Sequence, residues 1–110
     1  MKVRNFDRKE PDGPDCGCDN WYEHWLLNSE SGNGTINCVG SDCLKNADVG
    51  GHVKKVGKND ENVYIIPICH SCNSKQEEYE VNDDTAFVHV GQTDKCRGPL
   101  INKVLKDANH

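Results

Sequence analysis

The chain has 110 residues, of which 35% are hydrophobic, 6% aromatic and 28% charged, and its formal net charge is −5. That length suits one domain, and so thin an apolar content excludes a fold held by a large hydrophobic core alone, so a disulfide or metal staple is needed. The acidic balance excludes a molecule that is basic all round; any face for a polyanion has to be local.

The 7 cysteines supply the staple. Residues 1–10 contain no apolar run of the signal-peptide kind, no later stretch is apolar enough to span a membrane, and an odd number of cysteines suits a disulfide framework poorly. The thiols are therefore expected to be reduced and mostly metal-bound, in a cytoplasmic protein without a membrane partner.

In chain order, residues 1–15 are charged and contain Pro11, Gly13 and Pro14, which reads as an extended lead-in. Residues 16–37 are an N-terminal helix region. Cys16-Gly17-Cys18 precedes Trp21-Tyr22-Glu23-His24-Trp25-Leu26-Leu27, a short helix capped by Asp19 or Asn20. Trp21 and Trp25 share one face at i,i+4. A polar loop covers 29–34, and Cys38-x4-Cys43 follows within 37–48. A strand begins at Val49-Gly50-Gly51-His52-Val53, a polar turn spans 57–62, and Val63-Tyr64-Ile65-Ile66-Pro67-Ile68 is the clearest strand, with Pro67 marking an edge position or the strand's end. Cys69-His70-Ser71-Cys72 comes next. Residues 73–80 read as a helix, 85–90 as a late strand and 99–108 as a terminal helix with Pro99 at its start.

Structural zinc takes four ligands in a tetrahedron and favours thiolates. Cys69-x2-Cys72 has the spacing that aims two sulfurs at one ion, and Cys38-x4-Cys43 does so with a wider loop. A hairpin between the two pairs returns the chain to its start, so Cys38, Cys43, Cys69 and Cys72 are expected to share one zinc. Cys16, Cys18, His24 and Cys96 would supply three thiolates and one imidazole, a second zinc site that leaves no cysteine unused and ties the two ends of the chain together. A Cys16–Cys18 disulfide, strained at that spacing, is its competitor. The fold expected is a small zinc-stabilised α+β domain over 1–110. It has a treble-clef core of knuckle, hairpin, knuckle and helix at 38–80, the N-terminal extension, and the late strand and short C-terminal helix at 81–110.

The run from Gly50-Gly51-His52-Val53 to Val63-Tyr64-Ile65-Ile66-Pro67-Ile68-Cys69-His70-Ser71-Cys72-Asn73 resembles the HNH, or ββα-metal, endonuclease family. In that family a histidine ends the first strand, the second strand enters a Pro-Leu-Cys-x-x-Cys turn, and a His or Asn follows the last cysteine. The resemblance covers residues 38 to 80. It implies His52 as the general base that activates water and Asn73 as a ligand of a catalytic Mg2+ or Mn2+ ion, separate from the structural zinc, that clamps a phosphate oxygen. DNA or RNA would be the substrate, or the ligand of a binder derived from such a nuclease. Lys54, Lys55 and Lys58 would serve the phosphate backbone.

Gly51 stands where the family often has a metal-binding Asp. Tyr64 stands near its middle Asn, with Asn62 two residues too early. The competing reading is a catalytically inactive zinc module that recognises a protein, with Trp21, Tyr22 and Trp25 as anchors or as core and His52 packed on the hairpin or bonded to the zinc thiolates. A redox role for the Cys-x-Cys pair is a third reading. His70 is expected to be exposed, His89 partly buried and structural, and the acidic residues at 77, 78, 80, 83 and 84 to be a solvated face.

Overall fold

Seven short elements follow one another along the chain in the computed structural model, which describes residues 1–6, 20–29 and 36–92. They are β1 (Lys2–Asn5), α1 (Trp21–Asn28), β2 (Val49–Lys55), β3 (Tyr64–Ile68), α2 (His70–Asn73), β4 (Tyr79–Glu80) and β5 (Val88–His89). The strands form one five-stranded sheet in the order β4-β1-β2-β3-β5, and every pair in it is antiparallel.

The hairpin at the centre is the expected one. β2 and β3 pair over five residues, from Val49 opposite Ile68 to Val53 opposite Tyr64. Pro67 lies beyond the part of β3 that pairs with β5, so its missing N–H interrupts no ladder on that side.

Side chains alternate across a strand, and this register sorts the molecule into two layers. One face carries Val3, Val53, Ile66 and Ile68, which pack with Cys38, Cys69, Cys72, Tyr79 and Val81. The other carries His52 and Ile65, opposite one another in the register, and Ile65 packs with Trp25 of α1 and Val88 of β5. The sheet therefore has a cysteine face and a helix face.

α1 begins where the sequence suggested. Asn20 is its N-cap, and its side chain accepts the N–H of Glu23. Gly50 lets the helix lie directly on β2: a Cβ there would stand 2.5 Å from the Trp21 carbonyl carbon. On the far side Trp25 Nε1 donates to the Ala86 carbonyl at 2.8 Å, which ties β5 to the helix.

Two expectations are corrected. Residues 2–5 are not a lead-in but an interior strand, paired with β2 on one side and β4 on the other. Val3 is the one apolar side chain in this strand that points inward, and it is fully buried. One apolar residue among charged neighbours is no periodic signal, so the strand exists because two neighbours need its backbone.

The helix expected over 73–80 is also absent: α2 is a single turn at the second cysteine pair. A continuing helix would use the Cys72 and Lys75 carbonyls for N–H groups four residues on. Instead the Cys72 carbonyl accepts the Lys75 N–H, three residues on, at 3.2 Å, Asn5 Nδ2 donates to both carbonyls, each at 2.9 Å, and Tyr79 pairs with Val3 in the sheet. The residues at 75–78 have helix propensity but no apolar face to bury, and tertiary pairing overrides propensity of that size. The terminal helix expected at 99–108 lies outside the described residues.

Candidate metal centre

Each cysteine pair is presented by a local turn. In the first, the N–H of Cys43 bonds the Gly40 carbonyl at 3.1 Å and the N–H of Cys38 bonds the Lys45 carbonyl at 2.9 Å. Asp42 sits at φ 62°, the left-handed conformation that Asp tolerates better than most residues. Gly40 leaves room for the opposite pair, because a Cβ there would stand 3.0 Å from Cys72 Sγ. In the second, Cys69 precedes the single turn of α2 and the N–H of Asn73 returns to the Cys69 carbonyl at 2.9 Å.

The hairpin brings the pairs together. Cys38 Sγ is 3.6 Å from Cys72 Sγ, Cys43 Sγ is 3.8 Å from Cys69 Sγ, and all four sulfurs lie within 4.8 Å of one another. A tetrahedron with zinc–sulfur bonds of about 2.3 Å has edges of about 3.8 Å. The two closest separations match that edge, and Cys38, Cys43, Cys69 and Cys72 can together hold one metal ion such as zinc.

Cys38, Cys69 and Cys72 are 2%, 1% and 4% exposed, so water does not solvate a thiolate here. Burial pushes the Cys72 thiol up to about 12, with Cys38 and Cys69 adding to the rise. Burial also raises Cys38, against the backbone N–H groups of Gly40 and Cys69. Burial acts upward on Cys69 as well, but the N–H of Cys72 and the neighbouring thiols outweigh it and bring that group down to about 7. A pocket that cannot ionise all its thiols by itself suits a dication that would neutralise them.

Asn5 is a component of this centre with no sequence signal. Besides holding the Cys72 and Lys75 carbonyls, it accepts the Tyr79 hydroxyl at 2.7 Å. Burial raises the Tyr79 phenol, aided by the charge of the nearby cysteines, and keeps it a neutral donor. Asn5 thus fastens the second knuckle to β1 from 67 residues away in sequence.

His52 and Asn73 do not meet. The His52 ring points to the helix face, edge-on to Trp21 with ring centroids 4.7 Å apart, and its Nε2 has no access to solvent. Asn73 is on the cysteine face, where its Oδ1 lies 3.0 Å from the place a Cβ on Gly51 would take. Gly51 and His52 are adjacent in β2 and point opposite ways.

The lysines also separate. Lys54 stacks over Phe6 at 4.7 Å, whereas Lys55 lies over Tyr64 and Phe87 at 4.5 and 4.8 Å on the other face. Lys58 is exposed beside the hairpin turn. Trp25 is buried and Trp21 and Tyr22 are half-buried, so the two tryptophans build core.

His24 is fully buried. Its Nε2 lies 3.2 Å from the His89 carbonyl, and burial lowers its proton affinity despite that bond. Cys16, Cys18 and Cys96, expected to join it, lie outside the described residues. His70 is exposed. His89 is half-buried: its Nδ1 accepts the N–H of Gly91 at 2.8 Å, which leaves the proton on Nε2 to donate to Asn62 Oδ1 at 3.1 Å. Asn62 thus fastens β5 to the hairpin turn. Among the described residues no helix is long and apolar enough to cross a membrane.

No protein-family model matches the chain, and neither a curated protein nor a solved structure is significantly similar to it.

Proposed function

We propose that the chain is a structural-zinc protein, an HNH-like treble-clef module that has given up catalysis and binds nucleic acid through one sheet face. The observation that carries the zinc reading is the clustering of four cysteine sulfurs at separations that suit a tetrahedral ion. Metal analysis tests it: about one zinc retained per chain by this centre, lost in Cys72→Ser with the β-sheet signal weakened. A Cys72→Ser chain that keeps all its zinc and its melting temperature would overturn it.

The non-catalytic reading is supported by the separation of His52 and Asn73. A general base has to reach the water it activates, directly or through one intervening water. An imidazole whose Nε2 is shut off from solvent, whose ring lies edge-on to Trp21, and which has the sheet between it and Asn73, is poorly placed for that. Addition of Mg2+ or Mn2+ is expected to give no plasmid cleavage, and cleavage abolished by His52→Ala would restore the nuclease.

The nucleic-acid reading is supported by the helix-face side of β1 and β2. Lys2 and Arg4 are exposed there, and Arg4 is the Cα partner of Lys54. Like charges directly opposite in a sheet repel, and a bound phosphate relieves that repulsion. Phe6, 38% exposed under the Lys54 ammonium, offers a ring on which a base can stack. Glu61, 3.9 Å from Lys54, is the one carboxylate ion-paired to this strip among the described residues. Oligonucleotide affinity should fall steeply with salt, and more gently in Arg4→Ala. Salt-independent binding, or binding unchanged in Arg4→Ala and Lys54→Ala, would favour a protein partner instead.

A further inference from the structure

We infer that Cys43 is the oxidation site of the four-cysteine centre: a hydroperoxide oxidises its sulfur, Cys69 captures it as a disulfide, and the metal leaves. The inference rests on the zinc reading of that centre. In the zinc-bound state all four groups are thiolates, so thiolate character does not rank them, and access for the oxidant does. Cys38, Cys69 and Cys72 are 2%, 1% and 4% exposed, whereas Cys43 is only half-buried. The turn that carries Cys43 is solvated on both sides of it: Ser41 and Asp42 before it and Leu44 and Lys45 after it are exposed, Leu44 by 97%. The second knuckle differs, since Cys69 and Cys72 stay buried although His70 and Ser71 between them are exposed. An oxidant from solvent therefore meets the centre at Cys43.

The partner follows from the sulfur geometry. Cys43 Sγ lies 3.8 Å from Cys69 Sγ, and Cys38 Sγ lies 3.6 Å from Cys72 Sγ. Both contacts join one knuckle to the other. A disulfide of about 2.0 Å asks the Cys43 and Cys69 sulfurs to close by about 1.8 Å. Cys69 is itself shielded from solvent, so it is held as the second thiol and not as the point of attack.

The chemistry balances with one hydroperoxide. The Cys43 thiolate attacks a peroxide oxygen, the O–O bond breaks, and the sulfur becomes a sulfenic acid as hydroxide departs. The Cys69 thiolate then attacks Cys43 Sγ, the S–O bond breaks, and a second hydroxide leaves. With hydrogen peroxide, two thiolates give up two electrons and two protons come from solvent, so the oxidant ends as two waters. Cys38 and Cys72 remain as two ligands where structural zinc takes four, and the ion is released. The new bond ties residues 26 apart across the hairpin, as the ion does. Oxidation thus removes the metal and leaves the two knuckles fastened together.

The test uses the full zinc-loaded chain, its zinc measured first, titrated with hydrogen peroxide. A chromophoric chelator reads zinc release, and non-reducing peptide mapping reads the bonds formed. Dimedone added with the peroxide should label Cys43 ahead of Cys38, Cys69 and Cys72. Without dimedone a Cys43–Cys69 link should appear, with one zinc released per link. The linked, zinc-free chain should melt about 10 °C or more above the reduced chain stripped by chelator. First labelling at one of the other three cysteines, a link within a knuckle (Cys38–Cys43 or Cys69–Cys72), or zinc retained by the linked chain would overturn the inference and leave the zinc reading standing. A starting chain with no zinc on these four cysteines would sink both.

Discussion

Gly50→Ala probes the two-faced arrangement on which the non-catalytic reading depends. The new methyl group would stand 2.5 Å from the Trp21 carbonyl carbon, 2.6 Å from its oxygen and 2.7 Å from the Tyr22 nitrogen. All three are backbone atoms, so no side chain can swing aside. Carbon atoms pack at about 3.5–4.0 Å, so the first turn of α1 has to retreat by about 1 Å. That retreat loosens the Trp21 ring from His52 and drags on Trp25, which is buried against Ile65 and Val88.

Overpacking of this kind costs about 1–3 kcal/mol. Against it, alanine is favoured over glycine inside a strand by about 0.5–1 kcal/mol. Because all three contacts are to backbone atoms, the cost lies at the upper end of that range, about 3 kcal/mol, and the net expectation is a loss of about 2 kcal/mol, or about 30-fold in the folded-to-unfolded ratio. With a urea dependence of about 1–1.5 kcal/mol/M for a chain this small, the midpoint should fall by about 1.5 M. Tryptophan fluorescence of the zinc-loaded protein reads it directly, and metal content at the four-cysteine centre should be unchanged, since that centre lies across the sheet. A midpoint that stays or rises would mean that α1 does not sit on Gly50. The separation of His52 from Asn73 would then lose its basis.

Asn5→Ala removes two donors to the Cys72 and Lys75 carbonyls and the acceptor of the Tyr79 hydroxyl. It should cost about 2–3 kcal/mol by urea titration and speed zinc release to a chromophoric chelator; a neutral result would show that the second knuckle stands without β1. Cys72→Ser should weaken zinc binding on the order of 100-fold or more, since loss of a mere supporting partner of a ligand already costs about 10–100-fold, and competition with a chelator of known affinity measures it. Zinc binding should also release protons and weaken as pH falls. Cys72, pushed up to about 12, and Cys38, raised above its ordinary value, hold protons near neutral pH in the metal-free protein, and both must lose them to coordinate. Calorimetry in buffers of different ionisation enthalpy should find about two protons or more per zinc, and release of none would contradict the protonated starting state.

The four-cysteine cluster was legible in the sequence because its information is local. Cysteine spacing within each knuckle and β-branched residues in Val63-Tyr64-Ile65-Ile66 are short-range signals, and a hairpin needs only a turn to bring its ends together. The Asn20 cap and the Trp21–Trp25 helix were readable for the same reason. β1 was not, because a four-residue strand with one inward apolar side chain has no periodicity to detect. The one-turn length of α2 was hidden too, since the chain after it is held by the Asn5 side chain, 67 residues away, and by the pairing of Tyr79 with Val3.

Sequence order alone therefore determined which four thiols are spaced to hold one metal ion. It also placed a helix before the first knuckle and a hairpin between the two. Only the tertiary structure decided on which side of the sheet each chemical group falls. His52 and Gly51 are neighbours in the chain, yet the alternation of a pleated strand sends one toward α1 and opens the other toward Asn73, and a motif read along the chain does not register that difference. The same alternation splits Lys54 from Lys55 and joins Lys54 to Arg4, a pairing set by strand register rather than by sequence proximity.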